Sequence, residues 1–223
     1  MDLPHLVQTV AIYALPLLFA ITLHEAAHGY VARHFGDMTA YAQGRVSLNP
    51  LRHIDVNGTI LVPLALIALS GGKFVFGWAK PVPVNYSALR KPKQHMAWVA
   101  AAGPAVNLAM AIGWAILLKI GLEMPSDVLA KMAVAGIVVN VVLMAINLLP
   151  ILPLDGGRIV AGILPRTLAR QYGKAERWGG YLLFAFIAAS LADAWLADGR
   201  YLGRVFAPLV GFIEEIIRTI VNL

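Results

Sequence analysis

Apolar and polar residues fall into long blocks along this chain, not into the period-two alternation of half-buried strands. Five stretches carry no charge: 6–23, 56–72, 96–118, 132–154 and 178–192. A sixth, 205–223, is broken by Glu214, Glu215 and Arg218. Crossing the hydrocarbon takes about 20 apolar residues as helix. The third and fourth stretches meet that length, as does the first once residues 22–30 prolong it. The second is marginal, and the fifth needs to run past Asp193 to Ala197. The pattern predicts an all-α polytopic membrane protein with about five to six transmembrane helices. The polar blocks 33–55, 73–95 and 155–177 are too short for an added module, so residues 1–223 read as one membrane-embedded domain. No internal repeat is visible. Asp2 stands where a basic leader would begin, so the N-terminus does not read as a cleavable signal peptide.

Composition agrees. Apolar residues make up 59% and charged residues 13%, about half the charge of a soluble domain, and mean hydropathy is +0.72. Disorder and nucleic-acid binding are excluded on these grounds. The net charge of +6 fits basic loops facing anionic lipid. There is no cysteine, so disulfides and thiolate metal sites are impossible.

The first apolar stretch runs into His24-Glu25-Ala26-Ala27-His28, an H-E-x-x-H sequence. On a helix, positions four apart lie on one face about 6 Å apart along the axis. Both imidazoles can then reach one zinc ion, with Glu25 beside them as general base. A bare polar helix end is the plainer alternative, but two histidines and a glutamate there are costly without a use.

Zinc needs a third protein ligand, which here must be His, Asp or Glu. Asp155 stands out because it closes the fourth stretch behind Pro150 and Pro153 and ahead of Gly156 and Gly157. The prolines break the helix and the glycines allow a tight turn, so a carboxylate can be turned inward. Asp155 could instead cap the segment that follows, and both roles could coexist. Asn107 and Asn147 lie inside the third and fourth stretches. Each amide could bond a neighbouring helix, or donate to an oxyanion or to substrate backbone.

With these blocks in view, the chain resembles the site-2 proteases, intramembrane zinc metalloproteases. His24-Glu25-Ala26-Ala27-His28-Gly29, Gly103-Pro104-Ala105-Val106-Asn107 and Asn147 through Pro153-Leu154-Asp155-Gly156 carry the likeness. Residues 76–85, beginning Phe76-Gly77-Trp78, are similar to a segment of the compact prokaryotic branch. Only nine residues, Lys119 to Asp127, lie between the third stretch and Val128, where the run into the fourth begins, which leaves no room for a PDZ-like insertion there, and the chain ends at Leu223 without a CBS-like tail. The resemblance implies one Zn2+ per chain on His24, His28 and Asp155, with Glu25 as base. It implies that Asn107 and Asn147 contact substrate or oxyanion, that the substrates are transmembrane proteins, and that the enzyme sits in the cell membrane.

Charge tests the topology. The three ligands must share one depth. If stretch 56–72 spans fully, Asp155 ends on the face opposite His28. If it re-enters and returns, they meet. The second arrangement puts 14 basic residues on the cytoplasmic side and leaves four outside (Lys119, Lys131, Arg200 and Arg204), together the 18 present, as the positive-inside rule requires. Pro81 and Pro83 alternate with Val82 and Val84, which predicts an edge strand in a re-entrant β-hairpin segment on the cytoplasmic side, able to pair with an unwound substrate. His34, His53, His95, Asp193 and Glu214 read as surface or helix-end residues. Residues 158–177, with five basic side chains, read as lying on anionic lipid. Two other functions remain: a proteolytically inactive scaffold, and a metal or proton transporter of the same fold.

Overall fold

The computed structural model describes residues 3–70, 77–124, 127–197 and 199–221. The chain is all-helical there. In order come α1 (Leu3–His34), α2 (Thr39–Ala42), a 3-10 turn Pro50–Arg52, a π turn Val56–Leu61 leading into α3 (Val62–Ser70), and a 3-10 turn Tyr86–Ala88. These are followed by α4 (Pro92–Gly121), α5 (Val128–Asn147), α6 (Asp155–Ile163), α7 (Arg166–Gly173), α8 (Glu176–Leu196) and α9 (Arg200–Val221).

Three helices among the described residues are long and apolar enough to cross a membrane: Val10–His34, Pro92–Gly121 and Val128–Asn147. This is fewer than the five to six expected. The apolar helix Val56–Leu69 rises only about 21 Å at 1.5 Å per residue, short of the roughly 30 Å hydrocarbon core. α8 opens on Glu176 and Arg177, and α9 carries Glu214, Glu215 and Arg218.

Small residues set the packing. α4 lies chiefly against α5 and also touches α1 and α6. Ala111 and Ala115 of α4 meet Val141 and Met144 of α5, with Val210 of α9 packed on the same cluster. A Cβ on Gly136 would stand 2.2 Å from the Trp114 indole, and one on Gly121 would stand 2.9 Å from the Ala130 backbone. Helices in lipid gain from such close approach, because apolar burial alone does not drive them together.

α1 ends in a glycine turn. Gly36 has φ 108°, and the Asp37 N–H donates to the Ala32 carbonyl at 3.0 Å, the bond that closes this type of helix end. Buried Asp37 then accepts from the Thr39 N–H through Oδ1 (2.9 Å) and from the Asn85 N–H through Oδ2 (2.7 Å).

The segment leading to Asn85 corrects the expected β-hairpin, since no strand forms among the described residues. The backbone around Pro81 and Pro83 is free of regular structure, and its donors go elsewhere. The Lys80 N–H donates to the His53 carbonyl (2.9 Å), the Val82 N–H to Glu25 Oε2 (2.7 Å) and the Asn85 N–H to Asp37. Two prolines contribute no donor, so no ladder can be built. Gly71 and Gly72, which close the second apolar stretch, and Phe76, which begins residues 76–85, lie outside the described residues. By Trp78 the chain is back beside the start of the π turn, where the Trp78 N–H donates to the Gly58 carbonyl at 3.0 Å.

Gly136→Val should destabilise the α4–α5 pair by about 1–3 kcal/mol, the usual cost of overpacking. A lower thermal midpoint of the detergent-solubilised protein would register it; an unchanged midpoint would mean that Trp114 moves aside freely.

Candidate metal centre

His24 and His28 lie on consecutive turns of α1, where the four-residue spacing stacks them on the face turned toward α4. Their rings meet edge to face, with centroids 4.7 Å apart. Both are buried. What lets them lie there is Gly103, since a Cβ on that residue would stand 2.5 Å from His24 Cε1 and 2.6 Å from His28 Nε2.

The third group arrives from α6. α5 stops at Asn147, and the loop through Pro150 and Pro153 doubles back so tightly that a Cβ on Gly156 would stand 2.3 Å from the Leu148 carbonyl oxygen. A Cβ on Gly157 would stand 2.6 Å from the backbone of Ile151 and Leu152. Gly156 and Gly157 are therefore required by close approach of backbone. The loop is clamped from outside: the Tyr172 hydroxyl donates to the Pro150 carbonyl at 2.7 Å, and Gly179 of α8 lies against Leu152 and Pro153. Asp155 is the first residue of α6, and its side chain does not cap the helix. It faces the imidazoles instead, with Oδ2 at 3.1 Å from His24 Nε2 and Oδ1 at 3.4 Å from His28 Nε2.

The outer hydrogen bonds decide what these atoms are. His28 Nδ1 lies 2.7 Å from the Val99 carbonyl, which only accepts, so Nδ1 carries the hydrogen. His24 Nδ1 lies 2.5 Å from Asn107 Oδ1 and donates likewise. In the neutral ring each Nε2 is then a bare lone pair. The two Nε2 atoms stand 3.1 Å apart, and Asp155 Oδ2 is buried without a hydrogen bond. Three acceptors thus converge on one point. A proton on one Nε2 would relieve one contact, whereas a divalent cation relieves all three. The ligand atoms lie within 4.8 Å of one another. A tetrahedral zinc with bonds of about 2.0–2.1 Å separates its ligands by about 3.3 Å, close to the 3.1–3.4 Å found here. The residues fit the ion.

The remaining candidates lie around this cluster. Glu25 is half-buried, and its Oε2 accepts from the Val82 N–H at 2.7 Å. This ties it to the extended segment that crosses α1, where a Cβ on Gly29 would stand 3.2 Å from Val82 Cγ1. Asn107 is fully buried behind His24, with Nδ2 donating to Asn140 Oδ1 at 2.9 Å. Asn147 turns back on its own helix, donating to the Leu143 carbonyl at 3.0 Å. Tyr86 lies beneath the Arg158 guanidinium, 4.9 Å from ring centre to Cζ. Burial raises its phenol above the usual range, against the opposing pull of Arg158, and the charges of Asp155, Glu176 and Glu25 add to the rise. His53 is buried, not at the surface, and donates through Nε2 to the Ser47 carbonyl at 2.8 Å. Asp193 is buried as well and accepts from the Tyr201 N–H at the start of α9.

Sequence reasoning passes over Asn140 and the Val82 N–H. The first is legible only as one more amide at mid-span. The second leaves no signal, because it is a backbone group brought to Glu25 by the tertiary fold.

Comparison with known proteins agrees with this geometry. Residues 123–190 match peptidase family M50. The chain is 40% identical over 184 residues to "Putative zinc metalloprotease YwhC" of Bacillus subtilis, covering 79% of this chain and 80% of that protein. It is 29% identical over 190 residues to "Putative zinc metalloprotease Rip2" of Mycolicibacterium smegmatis, covering 82% of this chain and 69% of that protein. No solved structure matches. With an H-E-x-x-H helix facing an aspartate and a relative this similar over most of both lengths, the chain belongs to peptidase family M50, the site-2 protease family.

Proposed function

We propose that this protein is a zinc endopeptidase that hydrolyses peptide bonds within or near the transmembrane segments of other membrane proteins. The observation that carries the reading is the convergence of two imidazole nitrogens and a carboxylate within 4.8 Å, on helices long and apolar enough to lie in a bilayer.

His24, His28 and Asp155 would hold the ion. When bound, zinc polarises a carbonyl and makes water more acidic. Glu25 takes the proton as water attacks the scissile carbonyl, and then delivers it to the leaving amine. For that it must exchange its bond from the Val82 N–H for one to water, so the extended segment has to yield. The same segment, placed across α1 beside Glu25, gives an unwound substrate a neighbour to lie against. Such unwinding is needed because a helical substrate keeps its carbonyls in its own hydrogen bonds. The Asn147 amide, half-buried at the end of α5, is available to a substrate carbonyl by exchange with Leu143. Asn107 has both ends of its amide engaged, which favours a task behind His24.

The topology belongs to the same proposal: stretch 56–72 enters and returns, and the site opens toward the cytoplasmic side of the cell membrane. The hydrogen bond from Trp78 back to Gly58 supports it. The scaffold and transporter readings have no observation in their favour.

Four outcomes follow. Glu25→Gln should abolish cleavage of a model membrane substrate while zinc stays at one per chain; metal flux persisting in that variant would instead indicate a transporter. Asp155→Ala should lose zinc on purification, and retention at parent stoichiometry would remove that carboxylate from the ligand set. Gly103→Ala should also lose zinc, because its methyl takes the space of the rings; full occupancy would show that α1 and α4 can part without consequence. Since the chain has no native cysteine, single cysteines at Ser47 and Ser87 report topology directly. Both should react with an impermeant thiol reagent from the same side, and labelling from opposite sides would mean a full crossing.

A further inference from the structure

The chemistry above gives Asn140 no task, yet it is fully buried at mid-span in α5, where an amide is costly unless satisfied. Its Nδ2 donates to the Gly136 carbonyl at 2.8 Å, and its Oδ1 accepts from Asn107 Nδ2 at 2.9 Å. Asn107 Oδ1 in turn faces His24 Nδ1 at 2.5 Å. We propose that Asn140 and Asn107 form a two-amide relay that fixes His24 as the Nδ1–H tautomer and so keeps Nε2 bare for the metal. The proposal rests on the reading of His24 as a zinc ligand.

The direction of the relay is set at both amides by backbone carbonyls, which only accept. Gly136 orients Asn140. Asn140, together with the Ala20 carbonyl at 3.5 Å from Asn107 Nδ2, orients Asn107. Asn107 then has only an oxygen to offer His24. Without this, the carboxylate opposite would win. Asp155 Oδ2 lies 3.1 Å from His24 Nε2, and a proton moved to Nε2 would make a hydrogen bond there and block the ion. The contrast with His28 is instructive. Its partner is the Val99 carbonyl, which cannot turn over, so it needs no second residue behind it. A side-chain amide can turn over, and Asn140 is what prevents it. Both amides are positioning residues, acting through His24.

The test uses the full-length protein in detergent, labelled with 15N in its histidine rings, with the His24 signal assigned by its loss in His24→Gln. In metal-free parent protein, His24 should be in the Nδ1–H form. Asn140→Leu, with the same branching but without hydrogen bonds, should bring in the Nε2–H form and weaken zinc binding about 10–100-fold, the usual effect of losing such a partner. Adding Asn107→Asp to Asn140→Leu supplies two oxygens and no donor, and should return the ring to Nδ1–H and recover most of the affinity. An Nε2–H ring in the parent, a tautomer and affinity untouched by Asn140→Leu, or no recovery in the double variant would each overturn the relay. Should Asn140→Leu fail to fold, the parent spectrum alone decides. Failure of the peptidase reading is separate, because it appears as parent protein that takes up no zinc.

Discussion

Two imidazoles can share a divalent ion only if neither carries a proton on the nitrogen that faces it. In this fold that condition is met from behind. Val99 and Asn107, both on α4, accept hydrogen bonds from the Nδ1–H groups of His28 and His24 and so turn the Nε2 atoms toward α6. The H-E-x-x-H sequence places the rings on one face, but by itself it leaves their tautomers open. The neighbouring helix closes that choice, so the packing of α1 on α4 is part of the chemistry.

That packing depends on missing side chains. Gly103 leaves the room the rings occupy, Gly156 lets the loop before α6 fold onto Leu148, and Gly162 lets α6 lie against α4 with its absent Cβ 2.7 Å from that of Ala97. α7 and α8 brace the loop through Tyr172 and Gly179. The short helices thus act as struts that hold one carboxylate at the level of two rings from a distant part of the chain.

Much of this was legible in the residues. Helical periodicity puts His24 beside His28, and the prolines and paired glycines around Asp155 mark a backbone that can turn a carboxylate inward. The three longest apolar helices were also readable from length alone. What could not be read depends on partners remote in sequence. The Pro81–Val82–Pro83 alternation reads as a strand, yet the carboxylates of Glu25 and Asp37 capture the donors at Val82 and Asn85 that a ladder would have needed. Asn140 resembles any other amide in an apolar stretch until Gly136 and Asn107 are seen on either side of it. His53 and Asp193 read as surface groups because nothing local to them reports the loops and helix ends that bury them.

The ligands are also spread along the order of synthesis. A ribosome delivers α1 early, and at that stage the two rings lack both the carbonyls that orient them and the acid that completes the set. Those arrive with α4 and then with α6, 131 positions after His24. Under the proposed ligand set, a nascent chain offers only two of the three groups, and the full set exists only once α6 has followed the third long helix.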